Sequence, residues 1–248
     1  MTCSTQSRRN ASRRDTLIAL TALAASLLVG RTGFAAPAPL KIAFIGAGHM
    51  GKGLGALLVE AGHEVMFSSR HPEDLRSQLQ GLGARAHVGT VAEAVNWGDV
   101  VFLTLPYNGM PGLAREHGGK LAAKPLVVDV SNPFPERDGE VGVTATENGA
   151  GIYLKTLIPG IKVVRAFNAI NWTKLPEFAR RQGKDKVAAP ILGDDKAAIA
   201  LAEKLISEMG FVPVLVGGLE KSRYTMPRGQ FADAHTPEAV RRMAAELK

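Results

Sequence analysis

The 248-residue sequence predicts an α/β protein in which helices cover both faces of a parallel, doubly wound sheet. Short apolar runs of β character alternate along the chain with segments of helical hydrophobic spacing. A glycine-rich turn joins the first such run to the first helical segment. The composition, 46% hydrophobic and 21% charged, is that of a globular protein. We also expect a small C-terminal α/β extension that packs on the same core.

Six β-type runs are expected in the main sheet, and two more in the extension. The first run is apolar throughout, as is typical of a strand buried on both faces. The eight runs are residues 40–45, 64–69, 85–88, 99–106, 126–130, 162–168, 187–192 and 211–216. The segment from Phe134 to Gly151 is polar and rich in glycine, and we expect a long loop there.

Several helix starts carry capping signals. Thr90 and Glu93 have the spacing of a capping box. Asp194 is expected to cap the helix that follows it, and Thr236 precedes a proline in a favourable N-terminal position. A further helix is expected from Trp172 to about Arg181, with both Trp97 and Trp172 serving in packing.

The turn after the first strand has the pattern G-x-G-x-x-G of a dinucleotide site. Its strand–loop–helix–strand context makes the pattern specific. Such glycines permit a tight turn, close approach of the pyrophosphate and close helix packing. The first helix then presents free N–H groups to the phosphates. The candidate cofactor-binding residues of this loop are Gly46, Ala47, Gly48, His49, Met50 and Gly51.

The end of the second strand favours NADP(H) over NAD(H). A site for NAD usually places an acidic residue there, which accepts hydrogen bonds from the ribose. This chain has Ser69 and Arg70 instead, a hydroxyl and a guanidinium that suit a 2′-phosphate. The alternative is that the two residues only begin the next helix at Pro72.

The N-terminal segment has the pattern of an export signal. Arg13 and Arg14 precede a short uncharged run, and small residues allow cleavage after Ala35. The arginine pair is similar to a twin-arginine signal. A general secretory signal or an uncleaved anchor are the alternatives. We therefore expect a periplasmic protein that engages the twin-arginine export machinery and keeps no stable membrane span after cleavage.

Charge and cysteine usage exclude several function classes. The net charge is +7, but the first 35 residues hold five arginines and one acid, so the remainder carries only +3. A nucleic-acid-binding protein would keep its basic charge in the folded part, so we expect that this protein does not bind nucleic acid. Cys3 is the only cysteine, and the six histidines are dispersed, so we expect no metal site.

The predicted domains are residues 1–35 (signal), 36–170 (NADP-binding Rossmann domain) and 171–248 (extension).

Further motifs resemble those of the coenzyme F-420-dependent NADP oxidoreductase family. They accompany the glycine loop and Ser69-Arg70 across nearly the whole mature chain. They are Leu105-Pro106, residues 162–168, residues 190–195 and residues 217–223. A related branch forms the NADPH-binding domain of membrane metalloreductases. Asp74 stands where the family often has a basic residue, so one phosphate contact departs from the pattern.

The resemblance implies a Rossmann fold and hydride transfer between NADPH and a second ring system. It implies that Ala47 to Met50 line the pyrophosphate, that Ser69 and Arg70 hold the 2′-phosphate, and that Pro106 lies near the nicotinamide side. Leu105, which precedes Pro106 in the matching motif, is a further cofactor-binding candidate. Such chemistry needs positioning rather than an acid or base, and no catalytic residue is assigned. Asn132 and Asn168 are substrate-side candidates, although turn roles are equally compatible.

Two functions are therefore expected from the sequence. The first is an exported NADP(H)-dependent oxidoreductase acting on a small flavin-like or other redox acceptor. The second is an NADP(H)-binding module without turnover, such as a sensor or partner subunit. The oligomeric state stays open, with a homodimer as one option.

Overall fold

The computed structural model describes residue 1 and residues 38–247, and all structural statements below concern those residues. Apart from Met1, the expected export segment, with Cys3, the arginine pair and the cleavage site after Ala35, lies outside the described residues. Within the described part, no helix has the length and apolar character needed to span a bilayer.

Eight strands form one sheet in the order β3-β2-β1-β4-β5-β6-β7-β8. The strands are β1 (Lys41–Ile45), β2 (Glu64–Ser68), β3 (Ala86–Gly89), β4 (Val100–Leu103), β5 (Leu126–Asp129), β6 (Val163–Ala166), β7 (Ala188–Gly193) and β8 (Val212–Gly217). The order of the first six is that of a doubly wound Rossmann sheet, and it reverses between β1 and β4. This confirms the predicted fold class.

One strand pair departs from the expected parallel sheet, because β7 is antiparallel to β6. A parallel return needs a crossover helix long enough to carry the chain back across the sheet. Between β6 and β7 the chain forms only one short α-helix, of five residues, which spans about 7.5 Å. The chain therefore re-enters the sheet from the edge at which it left.

Nine helices cover the two faces of this sheet in the described range. They are α1 (His49–Glu60), α2 (Pro72–Leu79), α3 (Val91–Trp97), α4 (Met110–Ala122), α5 (Pro135–Glu147), α6 (Ala150–Leu157), α7 (Leu175–Ala179), α8 (Lys196–Glu208) and α9 (Pro237–Ala245). Alternate side chains of the buried strands feed two apolar clusters, one on each face. Phe44 contributes to one cluster and Ile45 to the other.

The segment 134–151 is helical, so the expected long loop was wrong. It forms α5, with Pro135 at its start, and the beginning of α6. The glycines that suggested a loop have local roles: Gly139 kinks α5 at φ 59°, and Gly149 adopts φ 82° between the helices. A polar surface helix with internal glycines therefore lacks the periodic pattern from which helices are predicted.

Two of the three predicted helix caps are present, and the third is formed by the neighbouring residue. The Thr90–Glu93 capping box and the Thr236 cap are confirmed. Asp195 rather than Asp194 caps α8, by accepting from the Ala198 N–H at 2.8 Å. The Asp194 carboxylate instead accepts from Lys155 and from the Leu219 N–H. The helix expected over 172–181 is a 3-10 turn followed by the short α7.

Candidate nucleotide-binding cleft

The turn after β1 is built around glycines at which a side chain would not fit. Gly46 has φ +104°, and a Cβ there would lie 2.8 Å from the Thr104 carbonyl oxygen. A Cβ at Gly51 would clash with the Gly46 carbonyl oxygen. The Thr104 hydroxyl donates to that same carbonyl at 2.5 Å, so the end of β4 fixes the turn. The sequence reasoning missed this role of Thr104.

Gly48 differs from these two glycines, because a Cβ there would meet no atom within 4 Å. Its φ of −71° is open to any residue, so the backbone does not require glycine. Gly48 is the N-cap of α1 and provides no side-chain hydrogen bond to the helix. The first N–H groups of α1 and the positive end of its dipole therefore face open space that suits a pyrophosphate.

The parallel register brings the ends of three strands to one edge of the sheet. Ile45 pairs with Ser68 on one side and with Leu103 on the other. The residues that follow these strands line a cleft of about 720 Å³. The predicted cofactor residues on its wall are Gly46, Ala47, Gly48, Ser69, Arg70, Leu105 and Pro106. His49, Met50 and Gly51 lie in the first turn of α1, off the cleft wall.

One end of the cleft carries the groups expected at a 2′-phosphate. Arg70 is exposed, and the Ser69 hydroxyl accepts from the His71 N–H at 3.1 Å, which shapes the turn. Asp74 and Gln78 line the same end. The acidic Asp74 is the departure noted in the sequence, and its carboxylate opposes a phosphate placed beside it.

The opposite wall of the cleft is formed by α4 and the turn before it, which the sequence reasoning did not identify. Its residues are Asn108, Gly109, Gly112, Leu113, Glu116 and His117. Gly109 and Gly112 have no side chains that would extend from this wall into the cleft, and Leu113 is buried beneath it. The sequence feature that could have predicted this wall is the pair Gly109 and Gly112, which lie at the start of a helical segment.

A buried polar network supports the floor beside Pro106. The Tyr107 hydroxyl lies 2.9 Å from the Asp129 carboxylate and 3.0 Å from the Ala150 carbonyl, and these two acceptors share its single hydrogen. Arg165, from the middle of β6, forms an ion pair with Asp129 in which both side chains have no exposed surface. Buried charges are stable only when paired in this way. The network therefore links the turn after β4 to β5, β6 and α6 beneath the cleft.

The pKa directions follow from burial. Desolvation, assisted by the Asp129 charge, raises the pKa of Tyr107 well above its ordinary value. The phenol is thus a permanent hydrogen-bond donor. Burial also raises the pKa of Asp129, against the opposing charge of Arg165.

The two substrate-side candidates lie beside this network rather than on the cleft wall. Asn132 donates to the Asn168 carbonyl at 2.7 Å, which joins the loops after β5 and β6. The Asn168 amide donates to the carbonyls of Asp129 and Ser131. The side-chain oxygen Oδ1 of Asn168 is buried and has no hydrogen-bond partner in the described part of the chain. A substrate role for either residue stays a prediction.

Trp172 does not serve in packing as expected. Its side chain is 46% exposed, and its ring lies parallel to the His49 ring, with centroids 4.1 Å apart and planes 13° from parallel. Trp97, in contrast, is half-buried and meets the His87 ring edge-on at 5.4 Å. Within the described range, no group of three or more acidic, histidine or cysteine side chains could hold a metal ion.

Comparison with known proteins agrees with this geometry. Residues 41–133, from β1 past the end of β5, match the model of the family described as NADP oxidoreductase, coenzyme F420-dependent. Metalloreductase STEAP3 from Rattus norvegicus is 30% identical over 186 residues, which are 74% of this chain and 35% of that protein. The chain thus spans about a third of the length of this curated relative.

Two solved structures share the fold. A hypothetical protein from Sinorhizobium meliloti superposes with a TM-score of 0.68 at 24% identity, covering 80% of this chain and 96% of that one. A proposed F420-dependent NADP reductase from Arthrobacter sp. FB24 gives a TM-score of 0.62 at 22% identity, covering 74% and 87%.

Fold and cleft together define a Rossmann-type nucleotide-binding site whose cofactor is NADP(H). The open space over Gly48 and the exposed Arg70 fit the pyrophosphate and the 2′-phosphate of this nucleotide. Residues 41–133 thus match the coenzyme F420-dependent NADP oxidoreductase family, which is the family that the motifs of the sequence resemble.

Proposed function

We propose that this protein is an exported NADP(H)-dependent oxidoreductase that passes hydride from NADPH to a small redox acceptor. The observation that carries the proposal is the arrangement of one cleft. An open helix N-terminus at Gly48, an exposed Arg70 and the end of β4 at Leu105 and Pro106 all border it. The groups expected at a pyrophosphate, a 2′-phosphate and a nicotinamide thus occur in the order of an extended dinucleotide.

Bound NADPH supplies the hydride, and the chain supplies position. With a flavin acceptor, NADPH would supply one hydride and solvent one proton, and the products would be NADP⁺ and dihydroflavin. The Thr104 hydroxyl holds the glycine turn, and the Ser131 hydroxyl donates to the Leu105 carbonyl at 2.7 Å, which fixes the wall beside the ring. Rigid positioning of this kind lowers the entropic part of the barrier.

The acceptor is proposed to be a flavin, a quinone or a ferric chelate rather than coenzyme F420. A metalloreductase is among the relatives, and the family takes its name from F420. The expected export signal argues against F420, which is a soluble carrier of the cytoplasm. An exported enzyme would leave with its nucleotide bound, so the purified periplasmic form should retain NADP(H). The remaining proposed partners are the twin-arginine machinery and a second copy of the chain in a homodimer.

Steady-state oxidation of NADPH by the full chain tests this function. Riboflavin, benzoquinone, ferric citrate and coenzyme F420 would each be offered at several concentrations. We expect saturable turnover with at least one of the first three, at a higher kcat/KM than with F420. Tight NADPH binding without turnover of any acceptor would contradict an enzyme and favour the binding module. Rapid turnover with F420 alone would contradict the proposed acceptor and would indicate that the protein uses F420, for which the family is named.

A further inference from the structure

We infer that the exposed face of Trp172, backed by His49, is the surface on which a planar ring of the acceptor stacks. This inference rests on the proposed function and names the class of acceptor: a conjugated, flat ring system such as an isoalloxazine. It assigns a binding role to two residues that lie off the wall of the nucleotide cleft.

One face of the Trp172 indole is covered by another ring, while nearly half of the residue is exposed. His49 covers that face, with ring centroids 4.1 Å apart and planes 13° from parallel. This is the only ring that stacks on Trp172 within the described residues. With 46% of the side chain exposed, the remaining surface is open to a ligand. A tryptophan carries a large apolar area and a π-face on which a second ring can stack.

Short-range contacts hold the indole in place although it is exposed. The Asn171 side chain accepts from both the N–H and the hydroxyl of Thr173 at 3.0 Å, which fixes the turn that carries Trp172. Directly after it, Leu175 packs against α1 so closely that a Cβ at Gly53 would lie 3.0 Å from its Cδ1 atom. The turn is therefore fixed by Asn171 and is held against α1 by Leu175 and the His49 ring, which lowers the entropic cost of stacking.

The stacked pair lies on the side of the site where the acceptor must arrive. Arg70 follows β2 and marks the 2′-phosphate end, on one side of β1. An extended dinucleotide crosses the switch point between β1 and β4, so its nicotinamide lies toward β5 and β6. Trp172 comes from the loop after β6, and His49 is the first residue of α1, next to Gly48. The exposed surface of Trp172 is thus offered near the nicotinamide half of the cleft.

Flat conjugated rings gain most from such a surface. Stacking of a nucleobase on an aromatic side chain is worth about tenfold to hundredfold in affinity, judged from alanine substitutions. A ferric chelate has no such face and would gain little. The geometry therefore selects a flavin-class acceptor over a chelate.

Riboflavin titrations of the NADP⁺-saturated full chain test this assignment. We expect Trp172→Ala to weaken riboflavin binding at least tenfold by calorimetry, Trp172→Phe to restore part of it, and the NADPH Kd to stay within twofold. In Trp97→Phe, where Trp172 is the sole tryptophan, riboflavin should quench the remaining emission. Trp97→Phe itself serves as the matched control, and its riboflavin Kd should equal that of the wild type.

The outcomes separate the two proposals. An unchanged riboflavin Kd in Trp172→Ala overturns the stacking role and leaves the oxidoreductase function intact. An equal loss of NADPH and riboflavin binding also overturns it, because the ring would then serve the nicotinamide. Riboflavin binding that depends on Trp172 without turnover of any acceptor supports the stacking surface and refutes the enzyme. A KM for ferric citrate that is insensitive to Trp172→Ala supports the selectivity for flat rings.

Discussion

The carboxylate of Asp138 accepts a hydrogen bond from the backbone N–H of Asn108 at 3.3 Å. The same carboxylate accepts from the Phe134 N–H at 2.9 Å and pairs with Arg137. It thereby ties the first turn of α5 to the short turn that forms the far wall of the cleft. One buried acid thus connects a surface helix to the nucleotide site.

This connection makes the stability of the fold sensitive to acid. Burial alone would raise the pKa of Asp138, but hydrogen bonds from Arg137, Phe134 and Asn108 outweigh it and lower the pKa below its ordinary value of 3.8. A lowered pKa in the folded state adds stability that is complete above the unfolded value and is lost as the pH falls below it. Chemical unfolding between pH 6 and pH 2.5 should show this loss in the wild type and a flatter profile in Asp138→Asn. Identical acid limbs would contradict the role of Asp138.

The buried network beneath Pro106 should be costly to break at either end. Tyr107→Phe removes the one donor that the Ala150 carbonyl and Asp129 share, so we expect a loss of about 1–3 kcal/mol in the free energy of unfolding. Arg165→Met leaves the buried Asp129 without its counter-charge, and a loss of about 3–5 kcal/mol is expected. Urea unfolding at neutral pH measures both. A loss below about 1 kcal/mol in Arg165→Met would show that the ion pair is not a main contributor to stability.

How much of this site the sequence could predict depends on the range of the interactions. The glycine turn, Ser69-Arg70 and Leu105-Pro106 follow strands directly, so a local pattern places them at one edge of a parallel sheet. Arg165 and Tyr107 are separated by 58 residues, and their pairing depends on strand order, which no local pattern contains. The antiparallel direction of β7 was not predicted, because it too depends on strand order rather than on a local pattern. The α5 segment escaped because its start is held by Asp138, a tertiary contact, rather than by a periodic apolar face.

Asp74 should weaken the preference for NADPH. Its side chain lines the cleft at the end that carries Arg70, where the family often has a basic residue. A like charge near a phosphate costs about 1 kcal/mol at 4 Å in water, or about fivefold in affinity. We therefore expect Asp74→Asn to lower the Kd for NADPH by several-fold while leaving that for NADH unchanged. Titration at low and high salt checks this, because screening should diminish the gain. An equal gain for both nucleotides would place the effect outside the phosphate site.

The export proposal depends on two arginines that lie outside the described residues. Twin-arginine recognition does not treat lysine as equivalent to arginine, so replacing both Arg13 and Arg14 by lysine should trap the precursor in the cytoplasm. Cell fractionation followed by immunoblotting measures the distribution. Normal periplasmic yield of the double-lysine variant would indicate the general secretory route.

The most direct test of the account is nucleotide binding by three full-length chains, the wild type, Arg70→Ala and Gly48→Ala. The wild type should bind NADPH at least tenfold more tightly than NADH, because hydrogen bonds to a charged phosphate are worth about 1.5–3 kcal/mol each. Arg70→Ala should lose that preference and keep its affinity for NADH. Gly48→Ala should fold normally, since its added methyl group meets no protein atom within 4 Å, but should bind both nucleotides more weakly. Calorimetric titrations that find equal NADPH affinity in all three chains would contradict the assignment of this cleft to NADP(H).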